Sequence, residues 1–149
     1  MLHMTEIRKA AAADISTVAK LAAQLWPHHT PQEMEAEFSH IPENSNSALF
    51  LAFSGSTAVG FAQCSLRHDY VEGTSSSPVG YLEGIYTSDG CRGAGVARAL
   101  LAECESWAKE RGCSEFASDC ELTNTQSLHF HLSVGFEEAN RIICFKKKL

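Results

Sequence analysis

The stretch "TSDGCRGAGVARALLAECESWA", Thr87–Ala108, decides how the chain is read. Its loop CRGAG (Cys91–Gly95) carries two glycines into a pattern in which Val96, Leu100, Leu101, Cys104, Trp107 and Ala108 form one apolar stripe. That periodicity predicts an amphipathic helix ending near Gly112. Small residues ahead of a helix let a ligand approach the backbone, and the first N–H groups of a helix lack carbonyl partners, so the segment can cradle a phosphate. Arg92 and Arg98 flank the loop, and Arg92 in particular can reach such an anion. A tight turn before an ordinary helix is the competing reading, and the loop alone leaves both open.

Upstream, VGYLEGIYT (79–87) reads as a strand interrupted by Gly84, and an internal glycine often marks a bulge. ALFLAFS (48–54) and TAVGFAQCSLR (57–67) read as strands joined in a hairpin at Gly55-Ser56, and HDYVEGTSSSP (68–78) as a loop. TEIRKA (5–10) suits an opening strand. In DISTVAKLAAQLW, Ile15, Val18, Ala22 and Leu25 mark one helix face, with Asp14 near the positive end of the dipole. A polar, proline-bearing stretch then holds a short helix around 31–40. Downstream, SEFASD (114–119) suits a short strand and TNTQSLHFHLSVG (123–135) a helix capped by Thr123 or Asn124 and stopped by Gly135. FEEANRIICFKKKL is expected to close as a strand. The order β-α-α-β-β-β-α-β-α-β describes one mixed α/β domain over 1–149, without the regular alternation of a doubly wound fold.

The chain has 149 residues, 44% hydrophobic and 20% charged, enough for a sizeable core. No apolar run approaches the roughly 18 residues of a membrane helix. MLHMTEIRKA lacks an apolar signal core, so no signal peptide is expected, and Met4 is an alternative start. The six cysteines (Cys64, Cys91, Cys104, Cys113, Cys120, Cys144) form no CxxC pair, and free thiols in a reducing cytoplasm are expected. His28-His29 and His129/His131 lack the i,i+4 spacing of helical zinc ligands, so no metal is expected. A net charge of −6 argues against a general nucleic-acid binder. It suits a cationic substrate, or simply solubility.

A dinucleotide loop requires G-x-G-x-x-G/A directly after the first strand. Gly93 and Gly95 fit its first two places, but Arg98 stands in the third and the loop lies past the middle of the chain. Read instead as R-x-x-G-x-A, with Arg92, Gly95 and Ala97, the segment resembles the acetyl-CoA pyrophosphate motif of the GNAT acetyltransferases. The glycine-interrupted strand before it, the helix after it, Asn124 and Gly135-Phe136 fit the same family over nearly the whole chain. The more specific strings "LW-P", "RHDYVEGTSSSPVGYLEGIY" (67–86) and "ASD…N…GFEE…R" resemble the short aminoglycoside 6′-N-acetyltransferases. The resemblance implies a mostly antiparallel mixed sheet splayed at a bulged strand, with helices on both faces. It also implies acetyl-CoA as co-substrate, an aminoglycoside acceptor, antibiotic resistance and a homodimer; the rival readings are a GNAT enzyme acting on a polyamine or a protein N-terminus, and a non-catalytic acyl-CoA-binding sensor.

Carried onto this chain, the resemblance places Ile85, Tyr86 and Thr87 against the pantetheine arm. Arg92, Gly93, Ala94, Gly95, Val96, Ala97 and Arg98 fall around the pyrophosphate, and Asn124 on the pantetheine side. Acetyl transfer needs a polarised carbonyl, a neutral amine and a departing thiolate. Glu83, two residues before the expected oxyanion donor, and Asp119, across the splay, match substrate-binding acids and are the candidates for the proton relay. An alkylamine pKa is roughly 10 and a carboxylate's about 4, so the larger role of these acids is to attract and orient the ammonium. Without the family, each is a solvated charge at a strand end.

Trp26, His29 and Tyr70 match positions lining the sugar pocket, where an aromatic face offers a cation about 0.5–2 kcal/mol. The plain alternatives are a core Trp26 and a surface His29, with His28 beside it. His131 stands where many relatives keep a thiolate-protonating tyrosine; it is a candidate acid or a structural histidine. Two departures stand out. Asn140, counted among the substrate-facing residues, replaces an acid of the subgroup, leaving that contact neutral or passed to Glu137 or Glu138. The loop is also less basic than in relatives, which implies weaker acetyl-CoA affinity. No cysteine pairs with a histidine as a nucleophile, so direct transfer in a ternary complex is expected.

Overall fold

A computed structural model describes residues 5–149; the first four, Met4 included, lie outside the described residues. The elements are β1 (Thr5–Lys9), α1 (Ile15–Leu25), α2 (Pro31–Phe38), β2 (Ser47–Ser54), β3 (Thr57–Arg67), β4 (Val79–Thr87), α3 (Val96–Glu110), β5 (Phe116–Ser118) and α4 (Thr125–Ser133). The strands form one sheet in the order β1-β2-β3-β4-β5. Neighbours from β1 to β4 are antiparallel, and β5 runs parallel to β4.

The strands are apolar on both sides because helices cover both faces. Ala48, Phe50, Ala62, Cys64 and Leu82 pack under the Val96–Ala108 stripe of α3, with Phe130 and Phe136 against the same core. Leu49, Leu51 and Phe61 point the other way, into Val18, Ala22, Met34 and Phe38 of α1 and α2. Local chemistry sets the helix ends. The Thr30 hydroxyl accepts the Glu33 N–H at 3.1 Å, with Pro31 at the first helical position of α2. Asn124, not Thr123, caps α4 by accepting the Ser127 N–H at 3.0 Å. Gly112 and Gly135 end α3 and α4 with φ of +87° and +102°.

The expected closing strand over 136–149 is corrected: nothing after Ser133 is helix or strand. A strand needs an edge to pair with, and β5 offers three residues. Ile142, Ile143, Phe145 and Leu149 therefore stand exposed.

Leu100, fully buried between α3 and the sheet, reports on this packing. Leu100→Ala is expected to lower the free energy of unfolding by about 2–5 kcal/mol in urea melts, and a loss under about 1 kcal/mol would contradict the packing described.

Candidate functional site

Between β3 and β4, Gln63 lies opposite Gly84 while Cys64 lies opposite Leu82, leaving Glu83 as the extra residue of a β-bulge. The sequence placed the irregularity at Gly84, and the structure spreads it over Glu83-Gly84. Gly84 has a second reason to be glycine: a Cβ there would lie 2.6 Å from the Trp26 indole. The indole sits directly on the strand backbone, edge-on to Phe61 with ring centroids 6.1 Å apart.

The bulge also marks where the sheet opens. β5 pairs with Gly80, Tyr81 and Leu82 and goes no further, so β4 from Glu83 to Thr87 has no neighbour on that side. Ser88 N–H donates to Val59 at 2.8 Å. By antiparallel alternation the N–H groups of Ile85 and Thr87 then face the open edge. The Tyr86 side chain turns to the α1 face, where its hydroxyl bonds Gln24, and its backbone N–H faces β3, so neither lines this edge.

A cavity of about 250 Å³ on the α1/α2 face is lined by Trp26, His29, Met34, Glu37, Gln63 and Glu83. Three sequence candidates thus meet there. His29 Nδ1 lies 3.2 Å from Glu33 Oε2, and with Thr30 this contact holds the Glu33 carboxyl below the usual range. Glu37 and Gln63 were missed; the signal was one turn of α2 beyond Glu33 and the strand position facing the bulge. Two carboxylates beside an indole make a site for a cation.

Glu83 is already partnered. Its Oε1 accepts from Ser65 Oγ at 2.7 Å and from Arg67 Nε and Nη2 at 3.1 and 2.8 Å; its Oε2 accepts from Arg67 Nη2 at 2.9 Å. The Arg67 guanidinium stacks 3.4 Å from the Tyr81 ring centroid, and the Tyr81 hydroxyl donates to Asp119. Burial first, then Asp119, push the Tyr81 phenol well above its usual range, so it stays a protonated donor. Asp119 is exposed and outside the cavity lining, joined to Glu83 only through this chain.

Tyr70 and Asn140 lie elsewhere. Tyr70 is 77% exposed, and the Asn140 amide donates to Glu72 at 2.8 Å. Glu138, a suggested substitute acid, is engaged by Arg141, which lowers its carboxyl's pKa. His131 Nδ1 faces the Ser127 carbonyl at 2.7 Å, so it carries the proton, and Nε2 meets Ser118 Oγ at 2.8 Å. That geometry braces α4 against β5.

At the glycine loop, Gly93 and Gly95 adopt φ of +82° and +80°. The N–H groups of Gly93, Gly95, Val96, Ala97 and Arg98 meet no carbonyl. Ala94 N–H is spent on the Cys91 carbonyl at 3.3 Å, and the Val96 side chain is buried in the core. Arg92 pairs with exposed Asp89 at 3.1 Å, and Arg98 reaches the Ser133 carbonyl at 3.3 Å. The Asn124 carbonyl oxygen is taken by the cap, leaving its NH₂ for a ligand. Among the described residues, no group of three or more His, Cys, Asp or Glu could hold a metal ion.

A bulged β4, then a glycine loop and α3, then a β5 that parts from β4 after three residues, make up the core of the site. The model of the "Acetyltransferase (GNAT) family" covers residues 15–136. The chain belongs to the GNAT acetyltransferase family. This GNAT chain is 43% identical over 145 residues to an aminoglycoside N(6′)-acetyltransferase type 1 of Stenotrophomonas maltophilia, spanning 96% of this chain and 93% of the relative. It superposes on AAC(6′)-Iy in complex with the bisubstrate analogue CoA-S-monomethyl-acetylneamine with a TM-score of 0.94 and 38% identity, covering 98% and 99% of the two chains. On the complex of AAC(6′)-Iy with CoA the TM-score is 0.95, again at 38% identity, covering 99% and 97%.

Gly84→Ala is expected to push Trp26 off the strand. The cost is about 1–3 kcal/mol of stability in urea melts, with a changed tryptophan band in near-ultraviolet circular dichroism. An unchanged band and midpoint would contradict the close approach.

Proposed function

We propose that this chain is an aminoglycoside 6′-N-acetyltransferase, moving acetyl from acetyl-CoA directly to the drug's 6′-amine and so conferring resistance. The observation that carries the reading is the cavity in which bulged Glu83, Trp26 and Glu37 face one another beside the open edge of β4. Acetyl-CoA lies along that edge. Its pyrophosphate meets the N–H groups of Gly93, Gly95 and the first turn of α3, with Arg92 and Arg98 as counter-charges and Asn124 beside the pantetheine. The N–H of Ile85 polarises the thioester carbonyl.

The acceptor is a polycation, and the cavity supplies what it needs: an indole, His29 and two carboxylates. The amine nitrogen attacks the thioester carbon, the C–S bond breaks to release the CoA thiolate, and the amine's proton leaves through the carboxylates or water. Glu83 and Asp119 orient the ammonium and begin that relay. Tyr70 and Asn140 meet the sugar only if the loop 68–78 and the tail move with it. All six cysteines are free and two are exposed, which suits a reducing cytoplasm. Among the described residues no helix is long and apolar enough to cross a membrane.

The same reading includes a homodimer. The tail RIICF carries Ile143 at 81% and Phe145 at 90% exposure and pairs with no strand among the described residues. A second copy supplies that cover. Sedimentation is expected to find a dimer that Ile143→Asp with Phe145→Asp converts to monomer. A monomeric parent chain would remove this part of the reading.

Thiol release from acetyl-CoA tests the chemistry. Kanamycin and tobramycin are expected to be acetylated, analogues with a 6′-hydroxyl not, and spermidine or peptides poorly. Glu83→Ala is expected to lower kcat/KM roughly 100-fold and Asp119→Ala about tenfold. No turnover of any drug carrying a 6′-amine would overturn the proposal.

A further inference from the structure

We infer that Arg67 is a positioning residue of the acceptor site, fixing Glu83 and, through Tyr81, Asp119 as one connected pair of carboxylates; this rests on the acetyltransferase reading above. Arg67 lies opposite Val79 and Ser65 opposite Tyr81 in the β3/β4 ladder, so all four share one face with Glu83. Its guanidinium meets both Glu83 oxygens through Nε and Nη2 while its plane lies 3.4 Å from the Tyr81 centroid. Only a planar fork of donors can do both at once; an ammonium cannot.

The arrangement leaves a defined vacancy. Oε1 of Glu83 accepts from Ser65 and twice from Arg67, and is filled. Oε2 accepts one N–H from Arg67, and an ionised carboxylate oxygen has room for a second donor. That remaining site belongs to a cavity-lining residue and is where an acceptor ammonium binds. Without Arg67, the Glu83 carboxylate keeps one tether, Ser65 Oγ, on a bulged and partly exposed stretch. The stack on Tyr81 carries the same constraint to Asp119 by way of the phenol. Arg67 touches neither acetyl-CoA nor the reacting atoms in this account; it acts through the two acids.

The rival role is that of an internal cation that merely competes with the drug for Glu83. The two roles differ in sign. If Arg67 positions Glu83, Arg67→Met raises the aminoglycoside KM by about tenfold or more and leaves the acetyl-CoA KM within about twofold. If it only competes, the aminoglycoside KM falls.

The experiment compares the full-length wild type, Arg67→Met, Arg67→Lys, Glu83→Gln and the Arg67→Met/Glu83→Gln double variant. Steady-state kinetics with kanamycin are run at one pH, with urea midpoints as a check on folding. Arg67→Lys is expected to recover no more than about a third of the loss, because it keeps the charge without the fork or the stack. In the Glu83→Gln background, removing Arg67 is expected to lose most of its effect on the drug KM, keeping only the part that passes through Tyr81 to Asp119, about threefold or less. A drug KM that is unchanged or lower in Arg67→Met overturns the inference, as does wild-type behaviour in Arg67→Lys, the measurement that decides if Arg67→Met does not fold. The full Arg67→Met effect persisting without Glu83 overturns it too. In each of these cases the acetyltransferase reading survives; a wild type inert towards every aminoglycoside sinks both.

Discussion

The site depends on one extra residue. Because Glu83 is unmatched on β3, the strand shifts phase between Leu82 and Gly84. Gly84 then faces Trp26, and Ile85 faces the α3 core. The same bulge sits where β5 stops pairing. One local irregularity therefore aims the acid, seats the indole and begins the open edge. A regular strand would have buried Gly84 towards α3 and offered Trp26 no flat backbone to rest on.

Charge divides the site into two halves of opposite character. The glycine loop presents backbone N–H groups at the positive end of α3, which suits a polyanionic cofactor. The cavity on the α1/α2 face presents Glu37 and Glu83 to a polycation. The two meet only along β4, so the strand both separates the ligands and brings their reacting atoms together. A net charge of −6 favours the approach of the cationic acceptor over that of CoA. Closely positioned N–H donors are what the anionic cofactor gets instead.

Much of this was legible in the sequence, for physical reasons. The α3 stripe was unambiguous, and β3 and β4 match the expected ranges 57–67 and 79–87. Arg98 in the third glycine's place separated the loop from a dinucleotide fold. Trp26, His29 and Glu83 were placed by resemblance, and the fold brings them together. Cross-strand chemistry was not legible. That Ser65 and Arg67 reach Glu83, and that Tyr81 reaches Asp119, depends on register, which the bulge shifts by one residue. The last strand failed for a related reason: RIICF has strand composition, but β5, the edge strand that precedes it, is only three residues long. Asn140, read as a substrate contact, is drawn to Glu72 by a side-chain bond that no local pattern announces.

If the bulge organises the chemistry, the acceptor amine lies between Glu83 and the open edge of β4. A crystal structure of this chain with CoA and kanamycin bound together tests it most directly. The 6′-amine is expected within about 3.5 Å of Glu83, with an aminosugar ring against Trp26 and the CoA sulfur beside Ile85. A drug lying away from Glu83 and Trp26, or a CoA thiol on the other face of β4, would contradict it.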